Sequence, residues 1–265
     1  RKDGRGNKNR TLSKFFHRWT NLKLKDFSGI NIIGAGLAGC EAAYQISKKN
    51  INVRLFDMKP NKFSPAHKSK GLAELVCSNS LKAISPEKAS GILKLEMLEL
   101  DSLIIDTAYK CKLPAGGALA VDREEFSRII SEKIRNNSLI EVIEEEISSI
   151  PEDLSYPLII ASGPLTSKSL SQNIEEFIGE ENLSFYDSIS PIVSFESLDP
   201  NCYFKASRYE ESDGDYINCP MNQDEYELFH KTLINSEKIE FHDFEKPNYF
   251  EGCLPIEIMA ERGID

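Results

Sequence analysis

No apolar run in this 265-residue chain approaches the ~20 residues that a membrane-spanning helix requires. The hydrophobic stretches that do occur, such as INIIGAG at 30–36 and LIIASG at 158–163, are strand-sized and hold or end in glycine, so no membrane span is expected. Cysteine is sparse too. Its six copies, Cys40, Cys77, Cys111, Cys202, Cys219 and Cys253, form no C-x-x-C pair and no Cys/His cluster at zinc spacing. That excludes an obvious structural metal site and a dense disulfide framework, leaving a reducing cytoplasm as the expected compartment. Internal repeats and low-complexity tracts are likewise missing.

Acidic residues outnumber basic ones, 42 to 32, for a net charge of −10, but the imbalance is uneven. Residues 1–25 carry nine Lys or Arg and one acid, Asp3; setting that stretch aside leaves 23 basic and 41 acidic residues, a net of −18. A body this acidic cannot hold nucleic acid by general attraction, so any such contact needs a local basic patch. One candidate is the stretch 59–94, with seven lysines (59, 62, 68, 70, 82, 88, 94) against Glu74 and Glu87. Residues 1–29 read as a basic appendage without hydrophobic period, with organellar targeting as a minor alternative and no secretory signal.

From Ile30 the pattern sharpens into strand, glycine turn, helix, strand and acid. Gly34, Gly36 and Gly39 form G-x-G-x-x-G, with Ala35, Leu37 and Ala38 completing the turn, and Asp57 follows about twenty residues on, the dinucleotide-binding spacing. The first glycine permits the bend, the second lets backbone approach a pyrophosphate, and the third allows close helix–strand contact. Asp57 is the expected acceptor for a ribose. Leu37, Ala38, Ala42 and Ile46 are expected to face a sheet.

Further along, ASGILKLEMLELDSLIIDTAYK (89–110) has the apolar period of one long helix, with Met97 in the core. Asp122 reads as an N-cap with Glu125 three residues later, opening another helix. Strands are expected in LIEVIEEEISSI and YPLIIASGP, the second delivering Gly163 to the ligand crevice. Beyond residue 182 the texture changes to aromatic-rich, strand-like pieces and a helix, QDEYELFHKTLI. The expected organisation is α/β: a Rossmann-like dinucleotide-binding domain with a parallel sheet over 30–182, and a smaller α+β substrate domain over 183–265.

Several segments together resemble a known family. They are GAGLAGCEAAYQ (34–45), PAH (65–67), LAELVCSNSLK (72–82), GILKLEM (91–97), PAGGALAVDREEFS (114–127), ASGPLTS (161–167), FYDSISPIV (185–193), NCPM (218–221) and YFEGCLPIEIMAERG (249–263). In these the chain resembles the folate- and FAD-dependent tRNA uridine C5-methyltransferases, bacterial flavoproteins once grouped with a glucose-inhibited division protein. Cys40 and Asp57 stand where that family is expected to carry Ser and Glu, and the family is expected to continue past the MAERG segment, so a C-terminally truncated flavin domain is expected.

The resemblance implies transfer of a one-carbon unit from methylenetetrahydrofolate to C5 of a uridine in the tRNA T-loop, with FAD as reductant and NADH or NADPH recharging it. By motif, Cys77 and Cys219 fall on the two functional cysteines; their division of roles is open, and the other four are expected to be structural. The small polar neighbours of Cys77 and the nearby lysines fit a reactive thiol. His67 enters only through PAH. The lysines of 59–94 are the expected phosphate contacts. Rival readings are the same chemistry on ribosomal RNA, the related wobble-uridine carboxymethylaminomethyl enzyme, and a noncatalytic FAD- or RNA-binding fragment. A flavin disulfide reductase is disfavoured, because Cys77 has no neighbouring cysteine in sequence.

Overall fold

The computed structural model describes residues 28–64, 66–76, 78–150, 157–179, 193–207, 214–237 and 254–264. Within them the chain forms an α/β fold centred on a four-stranded parallel sheet of order β6-β2-β1-β7, with β1 at Ile30–Ile33, β2 at Val53–Phe56, β6 at Ile140–Ile143 and β7 at Leu158–Ile160. The register sets Ile32 between Leu55 and Ile159, and Leu55 opposite Val142. Strands β1 and β2 are joined through helix α1 (Leu37–Ser47), the crossover that parallel neighbours require.

Apolar residues line both faces of this sheet, as expected when parallel strands are covered on either side. Ile32, Val53, Leu55 and Ile140 enter the larger core, shared with α1, helix α3 (Leu103–Lys110) and helix α4 (Arg123–Arg135). Ile33, Phe56 and Ile143 point the other way, to a smaller cluster closed by Leu170 of helix α5 (Lys168–Ile178). The period of two along each strand produces this division.

The connection from β2 to β6 carries an insertion. It contains β3 (Ser80–Ala83), helix α2 (Ala89–Glu99), α3, β4 (Lys112–Leu113), β5 (Ala118–Val121) and α4, with the strands in an antiparallel sheet of order β3-β5-β4. Asp122 caps α4 as its sequence predicts, accepting from the Glu124 and Glu125 amides, but Glu125 turns outward to Arg128 instead of completing a capping box. The expected single helix over 89–110 is two. Asp101 adopts a left-handed φ of +54°, and Ser102 restarts the chain as the N-cap of α3, accepting from the Ile105 amide. Glu41 of α1 secures the break by accepting from Ser102 Oγ (2.8 Å) and the Ile104 amide (2.9 Å), a carboxylate set where a helix N-terminus favours negative charge. Met97 lies against the core as expected.

The boundary expected at residue 183 lies outside the described residues. Beyond it, β8 (Phe204–Ala206) and β9 (Tyr216–Asn218) form an antiparallel hairpin, followed by helices α6 (Gln223–Asn235) and α7 (Ile256–Glu261). The hairpin is fixed to the β4–β5 loop: Tyr216 Oη donates to Ala115 O (2.7 Å), and the Gly116 amide donates to Asp215. Asn222 and Glu225 form a reciprocal capping box at the start of α6.

Candidate functional site

The carboxyl ends of β1, β2 and β7 meet at one edge of the parallel sheet, the usual ligand crevice of an open α/β fold. Gly34 leaves β1 with φ +99°, and a Cβ there would stand 2.6 Å from Ala161 O. Gly39 is tighter still, since its Cβ would meet Gly34 O at 1.8 Å. Both glycines are therefore demanded by the chain's own packing. Gly36 differs: its φ of −73° is open to any residue, and a Cβ would find nothing within 4 Å. Nothing in the fold asks for glycine at 36, whereas a ligand lying on that backbone would.

Gly36 is also the N-cap of the 11-residue α1, with no side-chain cap and no acid in the first turn. The helix dipole and first-turn amides thus present a positive end to open space, a cradle chemically suited to a diphosphate. Asp57, just past β2, accepts from the Ala35 amide through Oδ2 and from the Lys59 amide through Oδ1, each at 2.9 Å. The third strand end contributes Gly163, with φ +67° and no atom within 4 Å of a Cβ. These residues all stand at the strand ends that open on the crevice; one expectation is corrected in α1. Ala38 is exposed, and the buried face is Gly39, Cys40, Ala43 and Ser47, about one position on from the expected one; Leu37, Ala42 and Ile46 are half-buried against the core.

Cys77 lies outside the described residues. The segment before it is held against the glycine turn by the Ala73 amide, which donates to Ala35 O (2.8 Å), and against α4 by Ser127 Oγ, which donates to Leu72 O (2.6 Å), and Ser131 Oγ, which accepts from the Leu72 amide (2.9 Å). After it, Asn79 Nδ2 donates to Val121 O. His67 is half-buried with Ser64 Oγ 2.6 Å from its Nδ1, and burial, then the Lys59 charge, lowers its pKa and favours the neutral ring.

Cys219 follows β9 and is exposed, and among the described residues no hydrogen bond joins it to the glycine turn. Cys253, also outside the described residues, has no assigned place. Cys40 and Cys111 are buried as expected of structural thiols, but Cys202 is exposed. Burial raises the Cys40 thiol to about 12, and its Sγ donates to Ala35 O at 3.3 Å. Brief iodoacetamide treatment of the native chain at pH 8 should therefore label Cys202 and Cys219 and spare Cys40 and Cys111 until denaturant is added. Peptide mass spectrometry reads this; Cys40 labelling as fast as Cys219 would contradict the burial.

The lysine-rich stretch is not one exposed patch. Lys59 is buried on Glu74, Lys94 is buried with Nζ donating to Ala83 O (3.0 Å) and Ser90 O (2.8 Å), and Lys62 pairs with Glu146 at 2.7 Å. Lys68, Lys70, Lys82 and Lys88 remain exposed. A separate cavity of about 450 Å³ lies against α1 and α3, away from the turn. Its charges are already paired, Lys48 with Asp101 and Lys133 with Asp106, so it offers no anion site. Among the described residues no group of three or more His, Cys, Asp or Glu could hold a metal, and no helix is long and apolar enough to cross a membrane.

The chain is similar to proteins named methylenetetrahydrofolate–tRNA-(uracil-5-)-methyltransferase TrmFO. That of Acetivibrio thermocellus is 54% identical over 236 residues, covering 89% of this chain and 54% of that protein. Those of Desulforamulus reducens and Bacillus subtilis are 52% and 50% identical over 236 and 234 residues, covering 89% and 88% of this chain and 53% of each relative. The chain thus spans about half the length of the curated relatives it matches. A solved structure titled "Structure of Aquifex aeolicus GidA in the form II crystal" aligns with a TM-score of 0.38 at 15% identity over 47% of this chain and 21% of that one, too little to carry weight. The family model for glucose inhibited division protein A matches residues 29–265, and with the glycine turn, its acid and the parallel sheet in place, the chain belongs to that family.

Proposed function

We propose that this chain supplies the flavin nucleotide site and a catalytic thiol for folate-dependent methylation of uridine C5 in the tRNA T-loop. Methylenetetrahydrofolate is the carbon donor, FAD the reductant, and NADH or NADPH the source of electrons. The observation that carries the cofactor is the open backbone at Gly36, a glycine that the fold itself does not require. The names of the relatives carry the folate and the tRNA uracil.

Gly36 and the first turn of α1 would hold the FAD diphosphate, with Asp57 as acceptor for ribose hydroxyls and the Gly163 backbone at the crevice edge. When bound, reduced flavin supplies the hydride that converts a methylene to a methyl group. Uracil C5 is a poor nucleophile until a group adds at C6, and the Cys77 thiolate is the side chain suited to that reversible addition. A second cysteine would serve as base or partner, and the NCPM motif assigns it to Cys219. Because no described hydrogen bond joins Cys219 to the glycine turn, Cys253 belongs in the same cysteine scan. The uridine must leave its folded loop to reach a thiol. Lys68, Lys70, Lys82 and Lys88 are the exposed cations for RNA phosphates. A cytoplasmic location follows from this role.

The test is incubation of the purified chain with FAD, NADPH, methylene-labelled folate and unmodified tRNA. Label in 5-methyluridine of the T-loop is expected. Label in ribosomal RNA alone would change the target, and saturable FAD binding without transfer would leave the chain a noncatalytic flavin binder. Methylation from S-adenosylmethionine would contradict the proposed chemistry outright.

A further inference from the structure

Lys59 is expected from the sequence only as one of the lysines for phosphate, and Glu74 only as an acid among them, yet buried together they close a continuous ring of hydrogen bonds. The Ala35 amide donates to Asp57 Oδ2, and the Lys59 amide donates to Asp57 Oδ1. Lys59 Nζ then reaches across to Gly71 O at 2.6 Å and Glu74 Oε2 at 3.3 Å. Glu74 Oε1 gathers the Lys68 and Ser69 amides at 2.9 and 3.0 Å. The Ala73 amide completes the circuit on Ala35 O. The ring therefore starts and ends on one residue of the glycine turn and passes through the segment directly before Cys77.

The pair sits where water does not compete. The Lys59 side chain is 4% exposed and that of Glu74 14%. A buried ammonium is a poor way to gain net stability, because desolvation offsets much of the attraction, but it strictly dictates where its acceptors must lie. The backbone here needs such dictation, since Ala73 takes a left-handed φ of +50° that a residue with a Cβ adopts only when its surroundings impose it.

We infer that Lys59 and Glu74 are positioning residues, a buried strut that makes the glycine turn and the segment leading to Cys77 one unit, so that nucleotide bound at the turn meets the thiol in fixed register. Neither need touch substrate. The inference deepens the proposed function and rests on it for its meaning, but the strut can be tested apart from it.

Hydrogen exchange of the intact chain is the first measurement. Lys59→Met and Glu74→Gln should each lower protection over residues 66–76 by about tenfold or more, while the amides of β6 and α4 keep theirs. Lys59→Arg, which retains the charge and its donors, should keep protection near the starting level, and Lys59→Met/Glu74→Gln should lose less than the two single losses combined. The second measurement is the alkylation rate of Cys77 with and without FAD: a change of about tenfold in the starting chain should shrink to about twofold or less in either single variant. Unchanged protection over 66–76 in both variants would overturn the strut, as would full retention of the FAD effect. Local loss of protection in a chain that does not bind FAD would keep the strut and remove the proposed cofactor, so the two failures are distinct. General loss of protection in Lys59→Met that Lys59→Arg does not rescue would make the pair a fold determinant and also overturn the inference.

Discussion

Cys77→Ala should lower methyl transfer by about 10³-fold or more while leaving FAD binding and the fold intact. In the proposed reaction alanine could not add to C6 of the uracil ring, and without that addition C5 would carry too little electron density to attack the one-carbon unit. Cys77→Ser restores a polar group of similar size but a far weaker nucleophile at neutral pH, and should recover little of the loss. Cys40→Ala and Cys111→Ala should behave as small packing changes, because both thiols are buried and Cys40 is held protonated. Among the remaining cysteines, the scan of Cys202, Cys219 and Cys253 identifies the second functional thiol as the one whose loss comes nearest to that of Cys77→Ala. Retention of more than about a tenth of the activity in Cys77→Ala would remove thiol addition at this position from the mechanism.

The second large effect is on stability. Gly39→Ala should destabilise the chain by about 3 kcal/mol or more, because its Cβ meets the Gly34 carbonyl at 1.8 Å and backbone cannot step aside as a side-chain end would. For a chain of this size that corresponds to a fall in Tm of ~10 °C. Gly34→Ala should be comparably damaging, combining a φ of +99° with contacts to Ala161 O and Ser162 Cα at 2.6 Å. Thermal melts followed by circular dichroism measure both. A Gly39→Ala chain melting within ~2 °C of the starting protein would mean that α1 sits farther from β1 than described.

The opening strand–helix–strand unit, residues 30–57, was legible because its signals agree with one another. INII has the period of a strand, three glycines punctuate it, a helical pattern follows, and RLFD closes with the acid; each lies within a few residues of its neighbour, so local rules suffice. The break between α2 and α3 was hidden for the opposite reason. Apolar residues continue through Leu100 at helical spacing, yet Leu100 is 70% exposed, and the group that stabilises the break is Glu41, some sixty residues away. Gly91 was silent as well: its Cβ would meet Ser85 O at 1.9 Å, a tertiary demand with no local pattern.

The site divides in the same way. Gly34, Gly36, Gly39 and Asp57 follow a spacing rule whose physical cause is local, whereas charge counting over 59–94 could not tell exposed lysines from buried ones. Lys59 and Lys94 count as positive charge in sequence and act as interior hydrogen-bond donors in the fold. A clue was present in retrospect: Glu74, one of two acids in that stretch, stands three residues before Cys77 and is the partner that makes Lys59 tolerable inside.

The central claim, that the turn after β1 carries a flavin dinucleotide on the bare backbone of Gly36, is tested most directly by titrating FAD into the purified chain and into Gly36→Val, with Tm recorded for both. The account predicts saturable one-to-one binding to the starting chain and loss of about tenfold or more in affinity in the variant, with Tm lowered by no more than the few degrees that an N-cap change costs, because the added Cβ finds no protein atom within 4 Å and the ligand is what it meets. Equal FAD affinity in the two proteins, or no binding by the starting chain, would contradict it.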